Sequence, residues 1–223
     1  MIITIDGPVA SGKSSLARGL ATILGYHHIN SGYFYRALAY ILLNYCHKTL
    51  NDLWVLDKSD LSCLALDKLE YVYRDGQPRM LYEGNDITFL LKTRDIDDGS
   101  SIISTYPFIR NIVNKFQHAS ADDHNIVIDG RDIGTIVFPT AQLKIYLTAS
   151  YLKRAERWQQ DQKRKGNFFT LEQSLHEVQE RDHRDTTRKI APLTVPAGAL
   201  IIDNSDLSKE DVIKQVLEQL HKI

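Results

Sequence analysis

The 223-residue chain is poor in cysteine and tryptophan and carries almost no net charge. Its two cysteines, Cys46 and Cys63, show no paired spacing. A disulfide scaffold is therefore not expected, and two thiols buried as small apolar groups in a reduced cytosolic protein are the simplest reading. The eight histidines, His27-His28 among them, lack metal-ligand spacing. Lys and Arg number 27 against 28 Asp and Glu, a net charge of −1. That balance excludes a globally basic nucleic-acid binder while leaving local arginine clusters able to read phosphate. The apolar run over 37–43 falls far below the roughly 20 residues that cross a bilayer. The start, Met1-Ile2-Ile3-Thr4-Ile5-Asp6, has no basic n-region or long apolar stretch, so a signal peptide is not expected. Internal repeats and low-complexity tracts are missing too. What is present, 43% hydrophobic and 25% charged residues, is ordinary for a globular chain with one core and an appendage.

Periodicity organises the chain. Ile2, Ile3 and Ile5 read as a buried strand running into Gly7-Pro8. Leu16, Leu20, Ile23 and Leu24 then recur at helical spacing, with Gly25 placed as a C-terminal cap. A second helix follows through Tyr33, Ala37, Leu38, Ile41 and Tyr45. The segments 126–128, 143–147 and 200–202 read as further strands separated by helical patterns, the last helix running from about Ser208. This alternation predicts an α/β fold, a doubly wound parallel sheet with helices on both faces. Residues 50–90 break it. There, 70–73 and 79–82 read as a hairpin around Asp75-Gly76, followed by a second turn at 83–86, giving a small antiparallel insert.

Gly7-Pro8-Val9-Ala10-Ser11-Gly12-Lys13-Ser14 satisfies every fixed position of the P-loop pattern, directly after a strand and opening an amphipathic helix. Glycines let successive backbone N–H groups point inward, and the helix N-terminus adds its positive dipole end. Lys13 can reach β- and γ-phosphate oxygens and the Ser14 hydroxyl can ligate Mg²⁺. The chain is expected to bind a nucleoside triphosphate. Asp129 ends the strand Ile126-Val127-Ile128, the arrangement P-loop proteins use to hold Mg²⁺, although a turn or cap carboxylate reads the same locally.

The remaining arginines suggest a second site. Ser31 stands where a strand passes into a helix, fitting an N-cap as well as a ligand, with Arg36 a turn further on. Arg110 lies near a helix start, where the dipole gives a cation no benefit. Arg131 and Asp132 lie just beyond a strand's C-terminal end, where open parallel sheets bind ligands. The run Arg181-Asp182-His183-Arg184-Asp185-Thr186-Thr187-Arg188 is either an exposed ion-pair ladder or a phosphate-reading cluster.

Across essentially its whole length the chain resembles the bacterial-type cytidylate kinases, the (d)CMP kinases of the P-loop nucleoside monophosphate kinase superfamily. The resemblance rests on Ile5-Asp6-Gly7-Pro8 with the P-loop, Ser31-Gly32 to Tyr35-Arg36, the insert, Ser101 and Pro107 to Arg110. It continues through Asp129-Gly130-Arg131-Asp132 to Pro139 and Glu180-Arg181-Asp182 to Leu193. It implies transfer of the ATP γ-phosphate to CMP or dCMP with Mg²⁺. Donor contacts would come from Gly7, Pro8, Val9, Ala10, Ser11, Gly12, Lys13, Ser14 and Ser15, and from Arg154 and Arg157 of a basic lid over 151–170. Arg36 and Arg131 would hold the acceptor phosphate. Ser31, Arg110, Asp132 and Arg188 would face cytosine, and Ser101, Arg181 and Asp185 the ribose. Lys13, Asp129, Arg131 and Arg181 would act in catalysis, with Ser14 and Asp129 holding the metal partly through water and phosphates. A cytoplasmic monomer with no nucleic-acid or membrane partner is the accompanying expectation.

Three positions depart from the pattern: Asn30 replaces an acid before Ser-Gly, Trp158 replaces the last arginine of the lid motif, and Lys92 replaces an arginine before Thr93. Another small-molecule P-loop kinase, acting on UMP or AMP, and a nucleotide-dependent switch module are the competing readings.

Overall fold

A computed structural model describes residues 1–74 and 76–222. Its contacts divide the chain into two compact units, Met1–His28 with His124–Ile223, and Ile29–Asp123. No helix among the described residues is long and apolar enough to cross a membrane.

The first unit is built on a sheet. Strands β1 (Ile2–Asp6), β2 (His27–Asn30, where the chain passes to the second unit), β6 (Ile126–Gly130), β7 (Leu143–Thr148) and β8 (Leu200–Asp203) lie in the order β2-β6-β1-β7-β8. β1 pairs in parallel with β6 and β7, and β8 pairs in parallel with β7. Because β1 is central, its residues 3–6 are all buried, the apolar Ile3 and Ile5 alternating with Thr4 and Asp6. One face is covered by α1 (Lys13–Leu24) and α7 (Lys209–Leu220). Leu16 and Leu20 of α1 and Val212 and Val216 of α7 close over Ile3, Ile5, Val127 and Ile145. Gly25 ends α1 at φ 68°, and Ser208 caps α7 reciprocally with Asp211. On the other side of β1, Thr4 and Asp6 meet the π-helical turn Ile133–Val137. Gly134 is required there, since a Cβ would lie 2.7 Å from Thr4 Oγ1. Helices α5 (Tyr151–Arg164) and α6 (Leu171–Thr187) pack against each other and around Val9.

The second unit holds α2 (Ser31–Asn44), the antiparallel sheet of β3 (Leu69–Arg74), β4 (Gln77–Tyr82) and β5 (Asn85–Asp86), and helices α3 (Arg94–Ile103) and α4 (Pro107–Ala121). β3 and β4 pair from Leu69 with Tyr82 to Arg74 with Gln77. This is the expected hairpin, of whose turn Gly76 is described while Asp75 lies outside the described residues. Short 3₁₀ turns over 52–68 fill the segment ahead of β3. Phe34, Leu38 and Ile41 of α2 are fully buried, as are Leu53, Leu64 and Met80.

The two cysteines are not the free thiols their spacing predicts. Cys46 and Cys63 form a disulfide, with Cα atoms 5.7 Å apart. Cys46 is half-buried and Cys63 exposed, so neither is a buried thiol. A bridge between residues 17 apart, joined through loops and short 3₁₀ turns, leaves no recognisable spacing in the sequence.

Candidate active site at the sheet's C-terminal edge

The loop between β1 and α1 has the backbone that its composition demands. Gly7 adopts φ 151°, and a Cβ there would stand 2.0 Å from the Leu147 carbonyl oxygen. Gly12 caps α1 in the left-handed region and supplies no side-chain cap to the helix's first N–H groups. Such a helix end, with no acid in its first turn, suits an external anion. The Lys13 ammonium, almost fully buried, folds back onto the Pro8 carbonyl oxygen at 2.5 Å and the Ser11 hydroxyl at 3.2 Å. Burial, reinforced by the Arg131 charge, holds its pKa well below the ordinary lysine value, against the pull of Asp129, Asp185 and Asp6.

Asp129, the penultimate residue of β6, lies beside this loop. The Ser14 hydroxyl donates to Asp129 Oδ2 at 2.6 Å, and His28 Nε2 lies 2.7 Å from Oδ1. Burial raises the Asp129 carboxyl, but the hydrogen bonds and charges around it, those of His28 first, bring it below the usual carboxylate range. A hydroxyl and an ionised carboxylate meeting at the P-loop are oxygen donors of the kind Mg²⁺ accepts.

A second cluster links the end of β6 to the end of α6. Arg131 Nε donates to Asp185 Oδ2 at 2.7 Å, and Arg188 Nη2 donates to Asp132 Oδ1 at 3.3 Å. Arg188 Nη1 also lies 3.9 Å from Asp185 Oδ1. Burial alone would raise Asp185, and Arg131, Arg181 and Arg188 hold it low. Asp6 reaches the same segment from below, accepting the Ile133 N–H at 2.8 Å and the Gly134 N–H at 2.7 Å.

The two α5 arginines expected to serve a lid have definite partners. Arg157 grips Asn204 through Nη1 to Oδ1 and Nη2 to the backbone oxygen, both 2.9 Å, and Asn204 Nδ2 donates to the Ser11 carbonyl at 2.9 Å. Arg154 is buried, donating to Ala149, Val9 and Asp182. Trp158 packs edge-on to Phe169 at 4.8 Å and joins the apolar cluster around Val9.

Within the second unit, Asn30 rather than Ser31 occupies the N-cap of α2, and the buried Ser31 hydroxyl accepts from Gln117 Nε2 at 2.8 Å. Arg36 Nε donates to Asp97 at 2.7 Å. Arg110, buried on α4, donates to the Ser104 carbonyl at 3.2 Å and sits over the Tyr35 ring. Ser101 is buried on α3. Exposed Lys92 lies over the Phe89 ring at 4.6 Å. The structure thus brings Lys13, Ser14, Asp129, Arg131, Asp132, Arg181, Asp185 and Arg188 together in the first unit, and carries Ser31, Arg36, Ser101 and Arg110 in the second. Sequence reasoning assigned no part to His28, Asp182 or Asn204. For Asn204 a signal existed, a polar residue just past a strand's C-terminal end, and Asp182 lies within the charged run 181–188; for His28 there was none.

A family model described as cytidylate kinase matches residues 3–222. The chain belongs to the cytidylate kinase family. A cytidylate kinase of Caldanaerobacter subterraneus subsp. tengcongensis is 39% identical over 224 aligned positions, covering 99% of this chain and 94% of its own. The protein named cytidylate kinase 1 of Haemophilus influenzae is 37% identical, covering 100% and 94%. Among solved structures, a shikimate kinase from Bacteroides thetaiotaomicron superposes with a TM-score of 0.50 at 14% identity, covering 99% of this chain and 98% of its own. An uncharacterized protein from Eubacterium ventriosum reaches 0.54 at 11%, covering 100% and 99%. These likenesses show a shared fold.

Proposed function

We propose that this family member transfers the γ-phosphate of ATP to CMP or dCMP, giving ADP and CDP or dCDP. The observation that carries this reading is the adjacency of the phosphate loop, with Lys13, Ser14 and Asp129, to the arginine–carboxylate cluster of Arg131, Asp132, Asp185 and Arg188 on one sheet edge. Gly7 to Ser15 bind the donor phosphates, and Arg157 of the segment 151–170 approaches the donor as a lid. Arg36 and Arg131 hold the acceptor phosphate. Asp132 accepts from the cytosine amino group, Arg110 donates to the ring acceptors, and Ser31 and Arg188 support them. Ser101, Arg181 and Asp185 take the ribose. The insert over 50–90 belongs to the acceptor-binding part of the chain.

Ser14 and Asp129 are the residues that would hold Mg²⁺, which supplies charge neutralisation on the donor phosphates when bound. The protein's own work is positioning: Lys13 and the loop N–H groups fix the donor, and the arginines fix an acceptor that is already ionised and needs no general base. Uracil reverses the hydrogen-bonding pattern facing Asp132 and Arg110, so buried mispairing disfavours UMP by orders of magnitude. We place the reaction in the cytoplasm, carried out by a monomer without nucleic acid or membrane.

The test is a coupled ADP-release assay at fixed Mg-ATP with CMP, dCMP, UMP and AMP. Turnover with CMP or dCMP well above the others is expected. Preference for UMP or AMP would overturn the base assignment, and ATP hydrolysis indifferent to every monophosphate would overturn the kinase reading.

A further inference from the structure

Val9 of the phosphate loop is held through its side chain, N–H and carbonyl by α5, which carries the basic segment, and by α6. Its side chain sits in a small apolar cluster with Ala155 of α5 and Val178 of α6. Its N–H donates to Asp182 Oδ1 at 3.0 Å, and its carbonyl oxygen accepts from Arg154 Nη1 at 3.2 Å. Arg154 and Asp182 also pair directly, and both are buried, 3% and 5% exposed. A buried pair of this kind persists only where its remaining hydrogen-bonding groups are used. Here the Val9 backbone uses them, together with the Ala149 carbonyl, which accepts from Arg154 Nε at 3.0 Å.

The peptide that carries the Val9 N–H is the one whose carbonyl belongs to Pro8. A trans peptide is planar, so its N–H and C=O point to opposite sides and turn together. One side of this plane is fixed by Asp182, and the other receives the Lys13 ammonium through the Pro8 oxygen. The next peptide, fixed by Arg154, leads into Ala10, whose φ of 56° is unfavourable for an L-residue and needs support from its surroundings.

We infer that the Arg154–Asp182 pair is a positioning device for Lys13, acting through the Pro8–Val9 peptide rather than by touching nucleotide. Asp182 sets the tilt of the Pro8 carbonyl, and the carbonyl sets where the ammonium rests before it meets phosphate. Neither residue is a catalytic residue in this role. Arg154, which the resemblance points towards the donor, acts on the loop instead. This inference rests on Lys13 being a donor-phosphate ligand.

The experiment is a double-mutant cycle on the full chain, reading ADP affinity by titration calorimetry. Asp182→Ala removes both the acceptor for Val9 and the partner for Arg154, and should weaken ADP by about tenfold. Asp182→Asn keeps an oxygen for the Val9 N–H and should weaken it by only about threefold. In a Lys13→Ala background, Asp182→Ala should add less than about twofold, because the two substitutions remove one effect. Losses that multiply in the double variant, as they would if Asp182 only stabilised the fold, overturn the inference. So does an Asp182→Ala affinity equal to wild type. If circular dichroism shows Asp182→Ala unfolded, the same cycle run with Asp182→Asn decides by the same criterion. Wild-type protein that fails to bind ADP refutes the nucleotide-site reading itself, which separates that failure from failure of the positioning role.

Discussion

Asp6 has no exposed surface and accepts two backbone N–H bonds, yet its carboxyl is pushed up to about 6. Burial is the largest cause, aided by the Asp132 charge and opposed by the Gly134 and Ile133 N–H groups and by Lys13. A carboxyl raised from 3.8 to about 6 on folding gives stability that is fully present below its unfolded pKa and is lost as pH rises through about 6. Asp6→Asn abolishes that dependence and leaves one of the two N–H groups facing a donor. The stability gap between wild type and variant should therefore narrow from pH 5 to pH 8 by about 1.4 kcal/mol. Denaturant melts at both pH values check it, and a constant gap would mean an ordinary carboxyl. Asp132, engaged by Arg188, makes the complementary case for specificity. Asp132→Asn should lower kcat/KM for CMP by about a hundredfold while ADP affinity stays within about threefold. Equal losses would remove Asp132 from the base site. Lys13, Asp129 and Arg131 could be singled out in the sequence because each sits in a short motif. His28 could not, because a histidine on a strand declares itself only through the carboxylate 101 positions away that it meets.

Elements were legible wherever periodicity is local. β1, α1 with its Gly25 cap, β6, β7, β8, the β3–β4 hairpin and the Ser208 start of α7 all follow from apolar spacing and cap chemistry. The π-helical turn at Ile133–Val137 was not, since it depends on Asp6, over 120 positions away, accepting the first two N–H groups of the turn. Nor was the bridge at the end of α2. The Cys46–Cys63 link closes a loop across 17 positions that include short 3₁₀ turns, where Leu53 and Leu56 are buried while Trp54 and Val55 are 57% and 79% exposed. By loop-closure entropy the bridge is worth about 3 kcal/mol. For a chain of this length that is about 6–12 °C in Tm. Reductant should lower the melting temperature of wild type by that order, and Cys63→Ser should match it and be insensitive to reductant. An unchanged Tm under full reduction, verified by thiol titration, would mean that the segment holds itself without the link.

At the scale of the molecule, the phosphate loop and the arginine cluster, which we propose hold donor and acceptor, are drawn from distant stretches of the chain. The phosphate loop opens at Gly7, the arginine cluster closes at Arg188, and Asn204 ties the loop to Arg157. Ligands that bind only this assembled arrangement must stabilise the folded state by mass action, by about 2.7 kcal/mol at a hundredfold excess over Kd. At this chain length that corresponds to roughly 5–10 °C in Tm. ADP and CMP, each at a hundred times its wild-type Kd, should each raise the melting temperature by that amount. Arg131→Ala removes a guanidinium held by Asp185 and assigned to the acceptor phosphate. It should cut the CMP shift by at least half, because a tenfold weaker Kd at the same concentration halves the linkage energy. The ADP shift should survive, since Lys13 and the loop N–H groups are untouched. Scanning calorimetry of both proteins with each ligand decides the matter: loss of both shifts would mark Arg131 as a general support of the fold, and retention of both would exclude it from the acceptor site.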